Sequence, residues 1–270
     1  MLRNLLKYEF QATGRVMLPI FGLVLLLTVF MAVGVRFWES VSSPILNILF
    51  VLIFTAYGFA MVGMFVVLLV LMVARFRNNY LRDEGYIMFT LPVNAHHLVW
   101  SKAICASVWF MATLVVVCLS GLIIGFVVSL GTGFLPQLLE WLSGIWSELT
   151  AYYALNGIAL LLEGILVCFV GYISFCLMAY ASLALGHSRD RHKMLLSVLL
   201  FFVFYTALQI LTMTVMYTGD VDGAMTAFDR LQGMEAMHLV MLITFAIEAI
   251  TGAAFYFATI FGLQKRLNLE

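Results

Sequence analysis

The chain has 270 residues, 64% of them hydrophobic and only 10% charged, whereas soluble domains average roughly 45–50% apolar and about 25% charged residues. So little charge cannot cover a surface that faces water, so most of the chain must be solvated by lipid. This composition excludes a cytosolic enzyme, a nucleic-acid-binding domain and a secreted disulfide scaffold. The 14 basic residues balance the 14 acidic ones, so only the placement of the charges carries information.

The first segment, residues 1–16, is amphipathic, with Phe10 and several leucines on one helical face and Arg3 and Lys7 elsewhere. This pattern predicts a separate helix that rests in the inner headgroup layer, with Pro19 marking the entry to the first span. The alternative is a charged leader that only fixes the orientation of the chain.

Six apolar runs follow, each close to or above the roughly 20 residues that a helix needs to cross a bilayer core of about 30 Å. They are continuously apolar rather than alternating, which predicts helices and not barrel strands. We therefore expect an all-α polytopic membrane protein with a single transmembrane domain over 1–270. The spans are predicted at about 17–35, 45–74, 98–130, 151–185, 194–217 and 239–263. The first run resembles a signal peptide at its end, but its length favours a retained span.

The basic residues indicate how these spans are oriented, since cytoplasmic loops are enriched in lysine and arginine. With the N-terminus in the cytoplasm, 12 of the 14 basic residues fall on the inner side, and only Arg36 and Arg230 fall outside. The sequence therefore predicts a multi-pass protein with both termini in the cytoplasm.

The longest inner segment, 75–102, contains a short apolar stretch whose exposure to the cytosol would be unfavourable. Asp83 or Glu84 can cap a helix there, and Pro92 ends it. Its apolar residues are Tyr86, Ile87, Met88, Phe89 and Leu91. An apolar helix on this side requires a protein partner or contact with lipid, and both interpretations remain open.

The shorter inner loop, 186–193, begins at Gly186, which suits the position after a helix end. Its Arg189 and Arg191 suit phosphate headgroups or a protein surface. On the outer side, a helix lying in the membrane interface is predicted after the third span from apolar residues at helical spacing. These are Leu138, Trp141, Leu142, Ile145 and Leu149. The second outer loop, 218–238, is acidic but lacks the ligands of a calcium loop.

Two acidic residues, Glu163 and Glu248, lie within spans that enter from the same side. Counting along the two helices predicts that their carboxylates lie at similar depths near the midplane. An intramembrane carboxylate is costly and is a functional-site hypothesis by default. The alternative is a structural acid that is hydrogen-bonded to a neighbouring helix. Thr206 and Gln209 make the fifth span the next most polar, for a substrate route or for helix association.

Motifs that carry catalysis are missing from these 270 residues. No GxxxxGK[ST] sequence is present, so the chain has no phosphate-binding loop of that kind, and HExxH is absent as well. The four cysteines lie in apolar runs without a CxxC pair and are predicted to be small buried hydrophobes. They are Cys105, Cys118, Cys168 and Cys176. We therefore expect no enzyme activity, no bound cofactor and no metal in this chain.

The first inner loop carries a resemblance to a known family, the membrane subunits of type-2 ABC transporters, which are exporter permeases common in bacteria. The similar residues are Asp83-Glu84-Gly85-Tyr86-Ile87-Met88-Phe89-Thr90-Leu91-Pro92-Val93, followed by Ser101-Lys102. The resemblance extends over the whole chain through the amphipathic start, the six spans and the lengths of the two inner loops. It departs from the family in its outer loops, since the clearer outer helix follows the third span.

The resemblance implies a permease dimer, here expected to be a homodimer, bound to two separate ATPase subunits that hold ATP and magnesium. The stretch from Tyr86 to Leu91 would be the coupling helix, and 186–193 the second contact. Chains of this size resemble exporters of antimicrobial or toxin peptides in the bacterial cell membrane. An amphipathic peptide or another hydrophobic compound is therefore the expected substrate, with Glu163, Glu248, Gln209 and Thr206 along its route.

Two other classes of function fit the same sequence. A secondary transporter could be driven by protons through Glu163 and Glu248. A membrane immunity, sensor or scaffold protein would transport nothing. A partner ATPase would distinguish the first interpretation from both of these.

Overall fold

The computed structural model describes residues 2–38, 43–81, 94–130, 134–147, 155–188, 192–218 and 234–265. Within these ranges the chain forms seven α-helices and no strand. They are α1 Leu2–Phe37, α2 Pro44–Leu81, α3 Ala95–Ser129, α4 Phe134–Ser147, α5 Leu155–Gly186, α6 Lys193–Thr218 and α7 Met234–Lys265. All except α4 are long and apolar enough to cross a membrane. This confirms the predicted all-helical chain with six candidate spans and is consistent with a multi-pass membrane protein.

The predicted boundary between an interfacial helix and the first span is wrong. Residues 2–16 are helical, but α1 continues without a break through Pro19 to Phe37. Proline is tolerated inside spans where neighbouring helices and local adjustments satisfy the freed backbone groups. The continuous helix also packs on both sides of the expected boundary, since Thr13 and Met17 are both buried.

By its internal contacts the chain divides into two compact units. One, here the α1 unit, comprises Arg3–Leu71 and Cys105–Glu148. The other, here the α5 unit, comprises Met1–Leu2, Met72–Ile104 and Leu149–Glu270. Both are built from helices of membrane-spanning length, and α2 and α3 each contribute to both.

Trp109 of α3 organises the packing of α1 in the α1 unit. Its indole Nε1 donates a hydrogen bond of 2.8 Å to Thr13 Oγ1. Its ring lies 6.2 Å from the ring of Phe10 and 5.8 Å from that of Phe21. Gly14 leaves the space for this ring, because a Cβ there would lie 3.4 Å from the indole. The apolar face of the N-terminal segment is therefore partly covered by protein.

In the α5 unit, α5 packs against both α6 and α7. The α5 and α7 helices run parallel, because the contact of Ser174 with Thr251 is followed by that of Ala184 with Gly262. Parallel helices are required if both spans enter from the same side, as predicted. A Cβ on Gly262 would lie only 2.9 Å from the Cβ of Ala184, so the backbones approach closely there. Small residues permit such approaches between membrane helices.

The end of α5 is also closely packed against the first turn of α6. A Cβ on Gly186 would lie 2.1 Å from Ser197 Oγ and 2.6 Å from Ser197 Cα. Gly186 is the last residue of α5 rather than the residue after it, so close approach to Ser197 explains the glycine. His187 is buried beside it, with Nδ1 2.9 Å from the Leu183 carbonyl oxygen. The other predicted contacts of this loop, Arg189 and Arg191, lie outside the described residues.

Two of the four cysteines differ from the prediction. Cys105 and Cys176 are buried, whereas Cys118 and Cys168 are exposed on the surface of the chain. A thiol behaves as a small hydrophobe, and in a membrane span the surrounding lipid solvates such a group as well as protein does. Burial within protein was therefore predicted correctly for Cys105 and Cys176 and wrongly for Cys118 and Cys168.

Candidate functional site

A cavity of about 200 Å³ lies among α5, α6 and α7, within the α5 unit. Its apolar lining comes from Phe175, Met178 and Ile247, among others. Its polar lining residues are Ser174, Tyr205, Gln209, Glu248 and Thr251. All of them belong to helices long and apolar enough to cross a membrane. A cavity with apolar walls and a few convergent polar groups is the usual form of a small-molecule site.

The acidic group of this cavity packs against a glycine on α5. A Cβ on Gly171 would lie 3.7 Å from the Cδ of Glu248. The Glu248 side chain is half-buried. Among the described residues, no side chain or backbone group forms a hydrogen bond or ion pair with its carboxylate. The alternative of an acid that is hydrogen-bonded to a neighbouring helix therefore has no counterpart among the described residues.

Two hydroxyl groups of the cavity are held by contacts within and between α5 and α7. Ser174 Oγ and Thr251 Oγ1 share a hydrogen bond of 3.2 Å between the two helices. Thr251 Oγ1 also lies 2.9 Å from the Ile247 carbonyl oxygen, to which it donates. These bonds give both hydroxyl groups a partner, so neither is left unsatisfied in an apolar environment. These bonds hold together the wall that α5 and α7 form, and Glu248 contributes the carboxyl group of that wall.

Glu163 does not belong to this cavity. Its Oε2 lies 2.7 Å from Nδ1 of His238, one helical turn into α7. The exposed fractions are 26% for the His238 side chain and 39% for Glu163. The pair joins α5 to α7 near the ends at which both helices begin, and it becomes an ion pair when the imidazole is protonated.

The predicted equal depth of the two carboxylates is therefore wrong. Glu248 lies level with Gly171, eight residues beyond Glu163 on α5. At 1.5 Å per residue, the two acids are separated by about 12 Å along the helix axes. The count from the sequence placed the start of the sixth span at residue 239, whereas α7 begins at Met234.

Of the two α6 residues predicted for the substrate route, one lines the cavity and the other does not. Gln209 lines the cavity with Glu248, whereas Thr206 does not line it and is exposed on the surface of the chain. Tyr205 takes the place of Thr206 in the lining. The structure thus brings together Glu248 and Gln209 of the four residues predicted for the substrate route, and separates Glu163 and Thr206 from them.

The residues predicted to couple to an ATPase lie outside the described part of the chain. They are Asp83, Glu84, Gly85, Tyr86, Ile87, Met88, Phe89, Leu91 and Pro92. The helix ends that flank them are described. Tyr80 donates a hydrogen bond of 3.1 Å to the Leu98 carbonyl oxygen. The flanks of the loop, α2 and α3, are therefore joined at its base.

A buried lysine reinforces that base. Lys102 is only 4% exposed, and its Nζ lies 5.4 Å from the ring centre of Tyr80. With the Asn79 amide turned so that both of its ends are satisfied, its oxygen accepts a hydrogen bond of 2.7 Å from Nζ and its nitrogen donates one of 3.1 Å to the Arg75 carbonyl oxygen. Hydrogen bonds of this kind are what makes a buried charge tolerable.

Sequence reasoning missed His238, Ser174 and Thr251. His238 was assigned to the outer loop because the apolar run begins after it. The two hydroxyl residues carry a usable signal, since each stands next to or three residues from a glycine, Gly171 or Gly252, on its own helix. Small and hydroxyl residues at such spacing are typical of helix–helix contacts in membranes.

Comparisons of this chain with protein-family models, with curated proteins and with solved structures give no significant match.

Proposed function

We propose that this chain is the membrane-spanning permease subunit of an ATP-driven exporter in a bacterial cell membrane, with both termini in the cytoplasm. The observation that carries the proposal is the cavity of the α5 unit, in which the Glu248 carboxylate stands without a described partner among apolar walls. Keeping a charged group inside a membrane costs about 2.5–3.5 kcal/mol on insertion scales. A cost of that size is expected where the group binds something that crosses the membrane.

The sequence supports the proposal that ATP hydrolysis drives the export. These 270 residues contain no phosphate-binding loop, while 83–93 resembles the coupling segment of type-2 ABC permeases. In this proposal two separate ATPase subunits hold ATP and magnesium, and each binds the first inner loop of one permease copy. The hydrogen-bonded base of that loop, at Tyr80 and Lys102, provides a firm connection to α2 and α3.

The cavity chemistry favours a cationic amphipathic substrate, such as an antimicrobial peptide. Glu248 would offset the positive charge, and Gln209 and Tyr205 would supply directional hydrogen bonds. The apolar walls at Phe175 and Ile247 would contact the apolar side of the substrate. At about 200 Å³ the cavity holds one side chain of a peptide rather than a whole peptide.

A second candidate function is favoured by one further observation. Glu163 and His238 form a contact of 2.7 Å between two groups that can both exchange protons. A proton-driven secondary transporter would use such a pair together with Glu248. This candidate requires no partner ATPase.

Purification of the chain from its bacterial host, followed by identification of every co-eluting protein, tests the proposal directly. We expect an ATPase in stoichiometric amount. Transport assays in vesicles then compare Glu248→Gln with the matched control Glu140→Gln, since Glu140 is an exposed acid of α4. Glu248→Gln should lower export of a cationic peptide while basal ATP hydrolysis continues. Export driven by a proton gradient without ATP would favour the second candidate instead.

A further inference from the structure

A second and larger cavity, of about 560 Å³, lies in the α1 unit. It is formed by the end of α1, the start of α2 and the end of α3. Its lining includes Met31, Gly34, Arg36, Trp38, Phe50 and Val128. Its volume falls within the roughly 300–1,000 Å³ of cavities that bind small molecules. No part of the export proposal uses this cavity.

Its depth depends on a glycine. A Cβ on Gly34 would lie 3.1 Å from Cδ1 of the Phe50 ring, so a larger residue would displace that ring. The ring of Trp38 lies 5.9 Å from that of Phe50 at an interplanar angle of 39°. The two aromatic rings therefore form one continuous wall of the cavity.

Arg36 is the charged residue of this lining. Among the described residues, none forms a hydrogen bond or ion pair with its guanidinium group. Arg36 is also one of two basic residues that the charge distribution assigns to the outer side. A guanidinium group at the end of a membrane-spanning helix is well suited to bind phosphate through two parallel hydrogen bonds. The site thus combines an apolar volume with one positive charge that has no partner among the described residues.

We propose that this cavity binds an anionic phospholipid from the leaflet that faces this end of α1. An acyl chain fills the apolar volume between α1, α2 and α3, and the lipid phosphate binds the Arg36 guanidinium. Trp38 lies at the level of the headgroup, where tryptophan side chains are commonly found. The proposal is independent of export, since it concerns the α1 unit alone.

Native mass spectrometry of the full chain, released from nanodiscs of phosphatidylglycerol and phosphatidylcholine in equal amounts, tests this inference. We expect retained lipid to be enriched in phosphatidylglycerol. A single basic group near an anionic lipid contributes about 1 kcal/mol, which corresponds to about fivefold in occupancy. Arg36→Gln should therefore lower the enrichment of phosphatidylglycerol about fivefold, and Arg36→Lys should keep most of it. Arg15→Gln, at an exposed arginine in the N-terminal half of α1, is the charge-matched control.

A second pair of variants tests the apolar volume. Val51 lines the cavity and is half exposed, so Val51→Trp fills the space without disturbing the packed core. It should lower retention of both lipids. Val62→Trp places the same side chain on an exposed position of α2 outside the cavity and should retain lipid normally.

Two results would overturn the lipid assignment. Equal enrichment of phosphatidylglycerol in wild type, Arg36→Gln and Arg15→Gln would show that Arg36 selects no headgroup. A dimer of the chain that is lost in Val51→Trp but not in Val62→Trp would show that a second copy fills the cavity.

Discussion

Nδ1 of His238 lies 2.7 Å from Oε2 of Glu163, and this contact joins the first turns of α7 to α5. It stands about 15 Å along α7 from Glu248, since ten residues separate the two positions. Glu163 and Glu248 therefore have different surroundings. One has an imidazole partner, and the other faces a cavity.

The first prediction concerns this pair. Both side chains are partly exposed, so their coupling free energy should be modest, about 0.5–1 kcal/mol. We expect Glu163→Ala and His238→Ala each to lower the thermal unfolding temperature in detergent, and the double variant to lower it by less than the sum. Strict additivity would contradict a direct interaction. Glu163→Gln, which keeps an oxygen acceptor, should be milder than Glu163→Ala.

The second prediction concerns the space at Gly171. A leucine there would occupy the volume in front of the Glu248 carboxylate, so Gly171→Leu should reduce binding of a cationic substrate at least as strongly as Glu248→Gln. Gly164→Leu is the matched control on the same helix, because a Cβ at Gly164 has no neighbour within 4 Å. Substrate binding to purified protein is the measurement. If Gly171→Leu and Gly164→Leu bind the substrate equally well, the cavity is not the binding site.

The third prediction concerns the turn at Gly186. An added methyl group there would collide with the Ser197 backbone at 2.6 Å. Overpacking of this kind costs about 1–3 kcal/mol, so Gly186→Ala should reduce the yield of folded protein and its unfolding temperature. Removing the Ser197 hydroxyl in Gly186→Ala/Ser197→Ala should restore little, because the backbone contact persists. Gly121→Ala, in open space on α3, should be neutral.

The fourth prediction distinguishes a continuous α1 from a free interfacial helix. Trp109→Phe removes the donor to Thr13, and Thr13→Val removes the acceptor; each should cost about 0.5–1.5 kcal/mol of stability. The double variant should cost little more than either single one, which a thermal-unfolding cycle measures. Full additivity would indicate that residues 2–16 lie apart from α3.

The fifth prediction concerns orientation in the membrane. In a cysteine-free background, a cysteine at Ser147 should react with an impermeant reagent added outside intact cells. A cysteine at Ser188 should react only after the membrane is opened. The reverse pattern would invert the topology inferred from the basic residues.

The number and the type of the helices could be predicted from the sequence because apolar runs of sufficient length have few alternatives in lipid. The end of the α1 amphipathic segment could not, because its continuity depends on packing against Trp109, almost one hundred residues later. Pro19 was predicted to mark the start of the first span, whereas α1 is helical and packed against protein on both sides of this residue.

The candidate site was predicted in part. Glu248 and Gln209 could be singled out because polar side chains are costly in spans. Their proximity follows from the register of α5, α6 and α7, which the sequence does not state. The pairing of Glu163 was missed because α7 begins five residues earlier than its apolar run suggests.

The close approach of α5 and α7 restricts how the Glu248 cavity can change size. At Gly262 and Ala184 only the methyl group of Ala184 lies between the two backbones, which leaves little room for one helix to move against the other. Aromatic contacts join α6 to α5, such as the rings of Phe201 and Phe175 with centres 5.8 Å apart, and the first turn of α6 packs closely on Gly186. We therefore expect a change in the size of the cavity to come from a swing of α6 about its first turn.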